Sequence, residues 1–405
     1  MVQTGPQAQR YLAGVWIVLA VLTPLIGFLG PRGFAPALGL MGLSCLGYFR
    51  PRNWEWAGLG LLALLVLWAG VSLTWSPAPN LAVHGAKDLG RLTVLHLGVQ
   101  TVLSGAFVIA AAHLRAATAR IALNAVSWGM FCLGVILVIE GVTQAGVYQW
   151  IQTLTGKPVR PDLAVRNVAV GGYVLAALYW PAAVALWIEG RRRLVLFLAA
   201  AVVFSTFMLR GDSPTLAMVA SALVFWAVLK GGRAAVVSLL AVVTLYWLAT
   251  PLLTLLLQSV GVLNRLHGHL PPSWDRRLEI WTFVTDTWLK HPVRGLGLDA
   301  SRAFKGIIPL HPHDGGLQIW FELGAPGALL AAGFWVLLLW RLSCAPEDRL
   351  FAAAACACAC VYLVIGAVSF SLWQEWWICM GAFALAACLA LRQILAAGSE
   401  ADARP

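Results

Sequence analysis

The stretch YLAGVWIVLAVLTPLIGFLG, residues 11–30, holds no Asp, Glu, Lys or Arg. Wound as an α-helix, twenty such residues rise about 30 Å, the thickness of the hydrocarbon core of a bilayer. Eleven further apolar stretches, free of charge or nearly so, follow near 33–49, 56–74, 92–112, 121–145, 168–188, 194–209, 214–229, 234–256, 316–340, 350–370 and 374–391. The whole chain is 60% hydrophobic and 11% charged, with mean hydropathy +0.80, whereas soluble domains sit near ~45–50% apolar and ~25% charged. The expected fold is therefore an all-α polytopic membrane protein of about 12 transmembrane helices. A water-soluble fold is excluded. A nucleic-acid partner is not expected either, because too few charged side chains exist to build a solvated basic face despite the net charge of +11. The first stretch is preceded by one basic residue, Arg10, and shows no small-residue cleavage site, so it reads as a retained span.

Lys and Arg in short loops set the orientation. With the N-terminus inside, inner segments hold Arg10, Arg50, Arg52, Arg115, Arg120, Arg191, Arg192, Arg193, Lys230, Arg233, Arg341, Arg349, Arg392 and Arg404. The outer segments hold the other half of the 28 basic residues, but seven of those lie in one long loop, 257–315, and long loops translocate largely regardless of charge. Both termini are therefore expected on the inner, cytoplasmic side, with the long loop facing the periplasm or exterior. The chain then divides into an N-terminal bundle of about nine spans (1–256), the loop (257–315), and about three C-terminal spans with a cytoplasmic tail (316–405).

Within the loop, SWDRRLEIWTFVTDTWLK, residues 273–290, begins with a possible cap at Ser273 and repeats Trp281, Val284 and Trp288 on one helical face. It reads as an amphipathic interfacial helix with its tryptophans at headgroup level, ended by His291-Pro292. The eight cysteines form no CxxC pair, and the alternating ACACAC at 355–360 reads as small-residue packing. His96 and His113, on one helix, and His84 read as core or interface residues. Trp373, Trp376 and Trp377, at an outer turn, read as an aromatic belt, with a sugar-stacking platform as the alternative.

Five of the eight histidines, His267, His269, His291, His311 and His313, crowd into the 59-residue loop. A connection of that length is usually functional, and histidine is the side chain suited to moving protons near neutral pH. The HxH spacings at 267/269 and 311/313 lack any further ligand set, so no metal site and no cofactor are expected. In HPHDGGLQIWFELGAPG, residues 311–327, His313 stands at the mouth of a span with Glu322 further in and Gly324-x-x-Gly327 allowing close helix contact.

This segment resembles the O-antigen ligase and polymerase family of bacterial membrane glycosyltransferases, whose ligases carry His, then Asn, Ser or Gln, nine residues, and Gly-x-x-Gly. RLEIW at 277–281 and KHPVRGLGLDASRAF at 290–304 are similar to the Arg-x-x-x-Trp helix and His-Pro and Gly-x-Gly turns of that family. Arg166-Asn167 and Arg210 resemble positions where it places polar residues and arginines. The resemblance implies a GT-C-like fold. It also implies a donor glycan on undecaprenyl diphosphate and an acceptor hydroxyl on lipid A-core, for a ligase, or on another lipid-linked glycan, for an O-antigen or exopolysaccharide polymerase.

The chemistry suits the residues. A departing diphosphate needs cationic donors, and guanidinium groups bind it bidentately, so Arg277 and Arg210 are the first choices, with Arg166 next. A base activates the acceptor hydroxyl, typically by about 10²–10⁴-fold, and His313 is the candidate. His311, Asp314, Glu322, Arg276 and Arg302 are further candidates for substrate binding. Asp314 stands where the family has an amide or hydroxyl and is read as holding the His313 ring and raising its pKa. No carboxylate cluster of DxD type appears, so transfer is expected to be metal-independent and inverting.

Blander readings stand beside these. Arg277 serves equally as a headgroup anchor, Arg210 as a snorkelling residue or a partner of Asp212, and Glu322 as the partner of an arginine above it. Glu140 and Glu375 have no partner in the sequence pattern. A transporter of lipid-linked sugars is the competing class, but the first half shows no counterpart of 257–330.

Overall fold

The computed structural model describes residues 5–78, 92–211, 213–343 and 348–402, with side chains through 398. His84, Asp212, Cys344 and Arg404 lie outside the described residues. Fourteen α-helices follow in order: α1 (Pro6–Leu29), α2 (Phe34–Ser44), α3 (Asn53–Ser72), α4 (Thr93–Ala112), α5 (Ala116–Thr143), α6 (Gly146–Leu154), α7 (Pro161–Ile188), α8 (Arg192–Leu209), α9 (Ser213–Ser259), α10 (Val262–Leu266), α11 (Pro272–Trp288), α12 (Gly315–Ser343), α13 (Arg349–Val368) and α14 (Glu375–Asp402). No strand occurs among the described residues. Ten of these helices are long and apolar enough to cross a membrane. Their outward faces carry bare apolar side chains such as Val21, Leu67, Phe207, Leu223 and Leu245, each more than 60% exposed, a surface suited to lipid.

The polytopic all-α expectation holds, and the difference between twelve stretches and ten helices has two local causes. At 47 residues, α9 contains two of the expected spans. It doubles back at Gly232 (φ 54°), where backbone with positive φ favours glycine. Its start meets the end of α13, as Ser369 Oγ donates to Ser213 Oγ at 2.6 Å, while Gly232 lies beside the Arg349 guanidinium at the start of that helix. The second leg then returns along α12, where Trp320 Nε1 donates to the Trp247 carbonyl at 2.8 Å.

The other cause is α2, which at 11 residues rises only about 16 Å. Short 3₁₀ turns at Pro31–Gly33 and Leu46–Tyr48 extend it. The extended segment brings Ser44 and Tyr48 level with Tyr11 near the start of α1, through a 3.2 Å hydrogen bond and a stacked ring pair.

Loops assigned to the inner side gather at one end of the bundle. Gln9 donates to the His113 carbonyl at 3.0 Å, His113 Nε2 meets the Arg50 carbonyl, Gln393 donates to the Ala112 carbonyl, Arg392 lies over Phe351, and Arg233 over Trp340. Gln9 and Gln393 thus bring both terminal helices to that same end. At the other end sits the long loop, built around α11.

The face of α11 that carries Val284 and Trp288 is buried against protein. Ile280, Val284, Ala300, Ile308, Leu317 and Phe321 form a small core, and Trp288 packs edge-on against Trp320 at 5.5 Å. The periodicity was legible, but the surface it meets is α12 rather than headgroups. The helix begins after Pro271, so Ser273 is an ordinary first-turn residue and caps nothing.

Trp373, Trp376 and Trp377 are likewise interior, 9%, 6% and 1% exposed, so they form neither a belt nor a sugar platform. Cys356, Cys358 and Cys360 are buried and unbridged, consistent with packing. Glu375, at the start of α14, pairs with His96 of α4. Glu140 accepts from the Tyr148 N–H at 2.9 Å.

Candidate functional site

The site rests on a helix that is broken on purpose by its sequence. In α12, Gly324 takes φ 63° and ψ −157°, and Pro326 supplies no N–H to repair the ladder. The segment 293–301 fills the break. Leu296 N–H donates to the Phe321 carbonyl at 2.8 Å, Gly297 N–H to the Glu322 carbonyl at 2.7 Å, and Ala325 N–H to the Val293 carbonyl at 3.0 Å. Trp68 Nε1 satisfies the Leu323 carbonyl at 2.8 Å. A Cβ at Gly295 would lie 2.6 Å from Glu322 backbone, at Gly297 2.6 Å from the Ser72 carbonyl, and at Gly324 2.2 Å from the Val293 carbonyl. Gly324 therefore admits a loop. The close helix contact expected of Gly-x-x-Gly does not occur there, and a Cβ on Gly327 would meet Leu323 of its own helix.

Glu322 holds this junction. Its carboxylate, 1% exposed, accepts from the Asp299 N–H (2.9 Å), Ser301 Oγ (2.5 Å) and Trp373 Nε1 (2.6 Å), with Gln318 Nε2 at 3.5 Å. Every one of these partners is protein and none is an arginine. Burial among them removes Glu322 from reach of a substrate, so its place as a substrate-binding candidate is corrected to the fixing of 299–301. Asp299 in turn accepts from Thr93 Oγ1 and pairs with Arg302 at 3.2 Å.

On this base stands the His311-Pro312-His313 loop. Trp281 Nε1, one turn beyond Arg277 on α11, donates to the Pro312 carbonyl at 3.0 Å. His313 N–H donates to His311 Nδ1 at 3.2 Å, so the proton of neutral His311 is on Nε2, and the two rings lie 4.1 Å apart. His313 has φ 60°, a left-handed conformation costing of order 1–3 kcal/mol in a non-glycine residue, of the kind found at functional sites. Its Nδ1–H donates to the Ser369 carbonyl at 3.0 Å. That bond sets the tautomer and leaves the Nε2 lone pair free to accept a proton.

Burial holds His313 below the ordinary histidine range, against the Ser369 bond that raises it, and the Arg277 and Arg166 charges add to the depression. His311 is pushed down to about 3 by burial, then by the charges of His313 and Arg277. Both shifts favour the neutral ring.

Asp314 does not hold the His313 ring, and the expected rise in the His313 pKa is corrected to a fall. The Asp314 Oδ1 instead accepts the Leu317 N–H at 2.8 Å, capping α12, and takes the Tyr246 hydroxyl at 3.4 Å. Burial pushes its carboxyl up to about 7, against the hydrogen bonds from Leu317, Gly316 and Tyr246.

Of the arginines, Arg277 lies over Trp274 at 4.7 Å, and it and Arg166 are near enough to act on His313. Arg210 ends α8 with φ 56°, exposed, three residues before Ser213, whose hydroxyl meets Ser369. Arg276 is turned away: it pairs with Glu279 and donates to the carbonyls of Gly306 (3.0 Å) and Ile307 (3.3 Å). Arg302 is exposed on Asp299. Ser369 and Tyr246 were not anticipated, since each sits in an apolar stretch with no local signal.

Beneath the loop an apolar cavity of about 310 Å³ runs between α3, α4, α12, α13 and α14. It is lined from Glu55, at the arginine-bearing end, to Tyr246 and Leu372 beside the loop.

Comparison with known proteins bears on this geometry. Residues 194–332 match the family described as O-antigen ligase. Over this segment the chain is similar to the O-antigen ligase family. The segment contains Arg210, Arg277, His311, His313, Asp314 and the broken helix, and leaves Arg166 and Ser369 outside. Proteins bearing the provisional name polysaccharide ligase from Rickettsia conorii and Rickettsia prowazekii are 34% identical over 128 residues and 33% over 130. Each alignment covers 28% of this chain and 31% of the relative. The chain thus spans about a third of the length of the curated relatives it matches.

Proposed function

We propose that the protein is an O-antigen ligase-like glycosyltransferase. It transfers a glycan from undecaprenyl diphosphate to a sugar hydroxyl of lipid A-core at the periplasmic face of the bacterial inner membrane. The observation that carries this reading is His313, whose tautomer is set by the Ser369 carbonyl so that Nε2 faces its task unprotonated, with Arg277 and Arg166 close by. The acceptor O–H gives its proton to Nε2 while its oxygen attacks the anomeric carbon. The bond from that carbon to the diphosphate oxygen breaks, and the electron pair leaves with the diphosphate. Arg277, Arg166 and Arg210 receive the departing anion, which already carries charge and needs no acid.

A single displacement of this kind inverts the donor anomeric centre. Neither step calls on a metal, so full activity is expected in excess EDTA, and a loss restored by Mg²⁺ or Mn²⁺ counts against the mechanism. The apolar cavity ending beside the loop suits a donor carried on a lipid.

The ligase reading is favoured over a polymerase by the names of the Rickettsia relatives. Deletion in the native host separates the two. Long lipid-linked chains accumulating beside bare lipid A-core support a ligase, and single-repeat products on the core indicate a polymerase. New glycan–acceptor bonds formed by purified protein exclude the transporter reading.

A further inference from the structure

His313 holds an unfavourable backbone conformation one residue before Asp314, which caps α12, so whatever fixes the start of that helix also fixes the imidazole. Two glycines bring the first turn of α12 close to its neighbours. A Cβ at Gly315 would stand 2.8 Å from Leu372 and 3.3 Å from the Tyr246 hydroxyl, and one at Gly316 2.6 Å from Thr250 Oγ1. Into that contact the second leg of α9 extends Tyr246. Its hydroxyl accepts the Gly316 N–H at 2.8 Å and donates to Asp314 Oδ1, which also accepts the Leu317 N–H. Two of the otherwise unpartnered amides at the helix start are thereby satisfied, one by each residue.

We propose that Tyr246 and Asp314 are a positioning pair. Together they lock the start of α12 so that the His313 ring meets the Ser369 carbonyl and presents Nε2 to the acceptor hydroxyl. What position 314 supplies is an acceptor oxygen one residue after the base, and aspartate, asparagine and serine all carry one and all serve as helix caps. The role assigned to Asp314 is thus indirect, and the negative charge is incidental to it. The proposal rests on the reading of His313 as the base.

The test uses the full-length protein in liposomes with a lipid-linked glycan donor and lipid A-core, and compares D314N, D314S, D314A, Y246F and H313A. A second readout, independent of turnover, is the rate at which diethyl pyrocarbonate modifies His313, followed by mass spectrometry. With the cap removed, D314A is expected to lose about tenfold or more in kcat at nearly constant KM, because small misplacements of a reacting group cost that much. In D314A the modification rate of His313 changes as well. D314N and D314S keep the wild-type kcat and modification rate, and Y246F falls between.

Wild-type kcat and wild-type His313 reactivity in D314A would overturn the proposal. So would a D314N as impaired as D314A, which would put the charge itself to work. If D314A does not fold, D314N, D314S and Y246F still decide the matter. Full activity in H313A would sink the base reading instead, while the modification rates still report whether the pair positions the ring.

Discussion

Replacing Gly324 by alanine tests whether the break in α12 holds the site together. The alanine methyl would lie 2.2 Å from the Val293 carbonyl oxygen and 2.6 Å from the Gly295 nitrogen, so the inserted segment must retreat by about 1 Å to restore van der Waals distance. Holding alanine at φ 63°, ψ −157° adds of order 1–3 kcal/mol. The retreat weakens three hydrogen bonds, Leu296 to Phe321, Gly297 to Glu322 and Ala325 to Val293, each worth about 1 kcal/mol net. Together these come to about 4–6 kcal/mol, a large part of the stability of an ordinary domain.

In detergent, G324A is expected to lose its folded peak on fluorescence-detected size exclusion at a temperature well below wild type, with glycan transfer lost in proportion. G306A is the control, because nothing lies within 4 Å of a Cβ there. If G324A melts with wild type and transfers glycan at the wild-type rate, the break is not what secures the 293–301 segment. The junction would then be ornament.

Three further outcomes follow from the geometry. R277K keeps the charge but loses the planar fork and the stacking on Trp274, so kcat is expected to fall by about 10- to 100-fold, and a variant as fast as wild type contradicts bidentate anion binding. E322Q keeps one acceptor oxygen for the Asp299 N–H and Trp373 Nε1 and sets an amide NH2 where Ser301 Oγ and the Gln318 amide now donate, costing about 1–3 kcal/mol of stability with KM unchanged; a raised KM with normal melting would return Glu322 to the substrate. For pH, Asp314 is held at about 7 in the fold, above the ordinary aspartate value, so the folded state binds its proton more tightly and this stabilisation is lost as pH rises towards 7. The melting advantage of D314N over wild type should therefore grow between pH 5 and 7 and then level off, and a difference constant across that range refutes the assignment.

The sequence showed what depends on composition and period. Charge-poor stretches located each of the ten long apolar helices among the described residues, including the one that folds back at Gly232, because desolvation of polar backbone dictates helices wherever apolar runs of this length occur. The loop motif pointed to His313 and Arg277 for the same kind of reason: the residue types are scarce and their spacing is local. What it hid lies in long-range contacts. Ser369 reaches His313 across 56 residues and Tyr246 reaches Asp314 across 68, each from an apolar helix where nothing in the neighbourhood marks it. Three tryptophans near a turn look the same in sequence whether they face headgroups or Tyr362 and Phe370, as Trp377 does here. Gly-x-x-Gly gives no sign of whether helix or loop will occupy the gap. Asp314 was misread because adjacency in sequence suggested contact with His313, whereas a cap faces the helix it begins.

The central claim is that His313 Nε2 accepts the proton of the attacking hydroxyl. It is tested most directly by single-turnover transfer with purified H313A and H313Q in liposomes at saturating donor and acceptor. The account predicts a rate at least about 10²-fold below wild type, with donor binding unchanged. Transfer by H313A at the wild-type rate would contradict it.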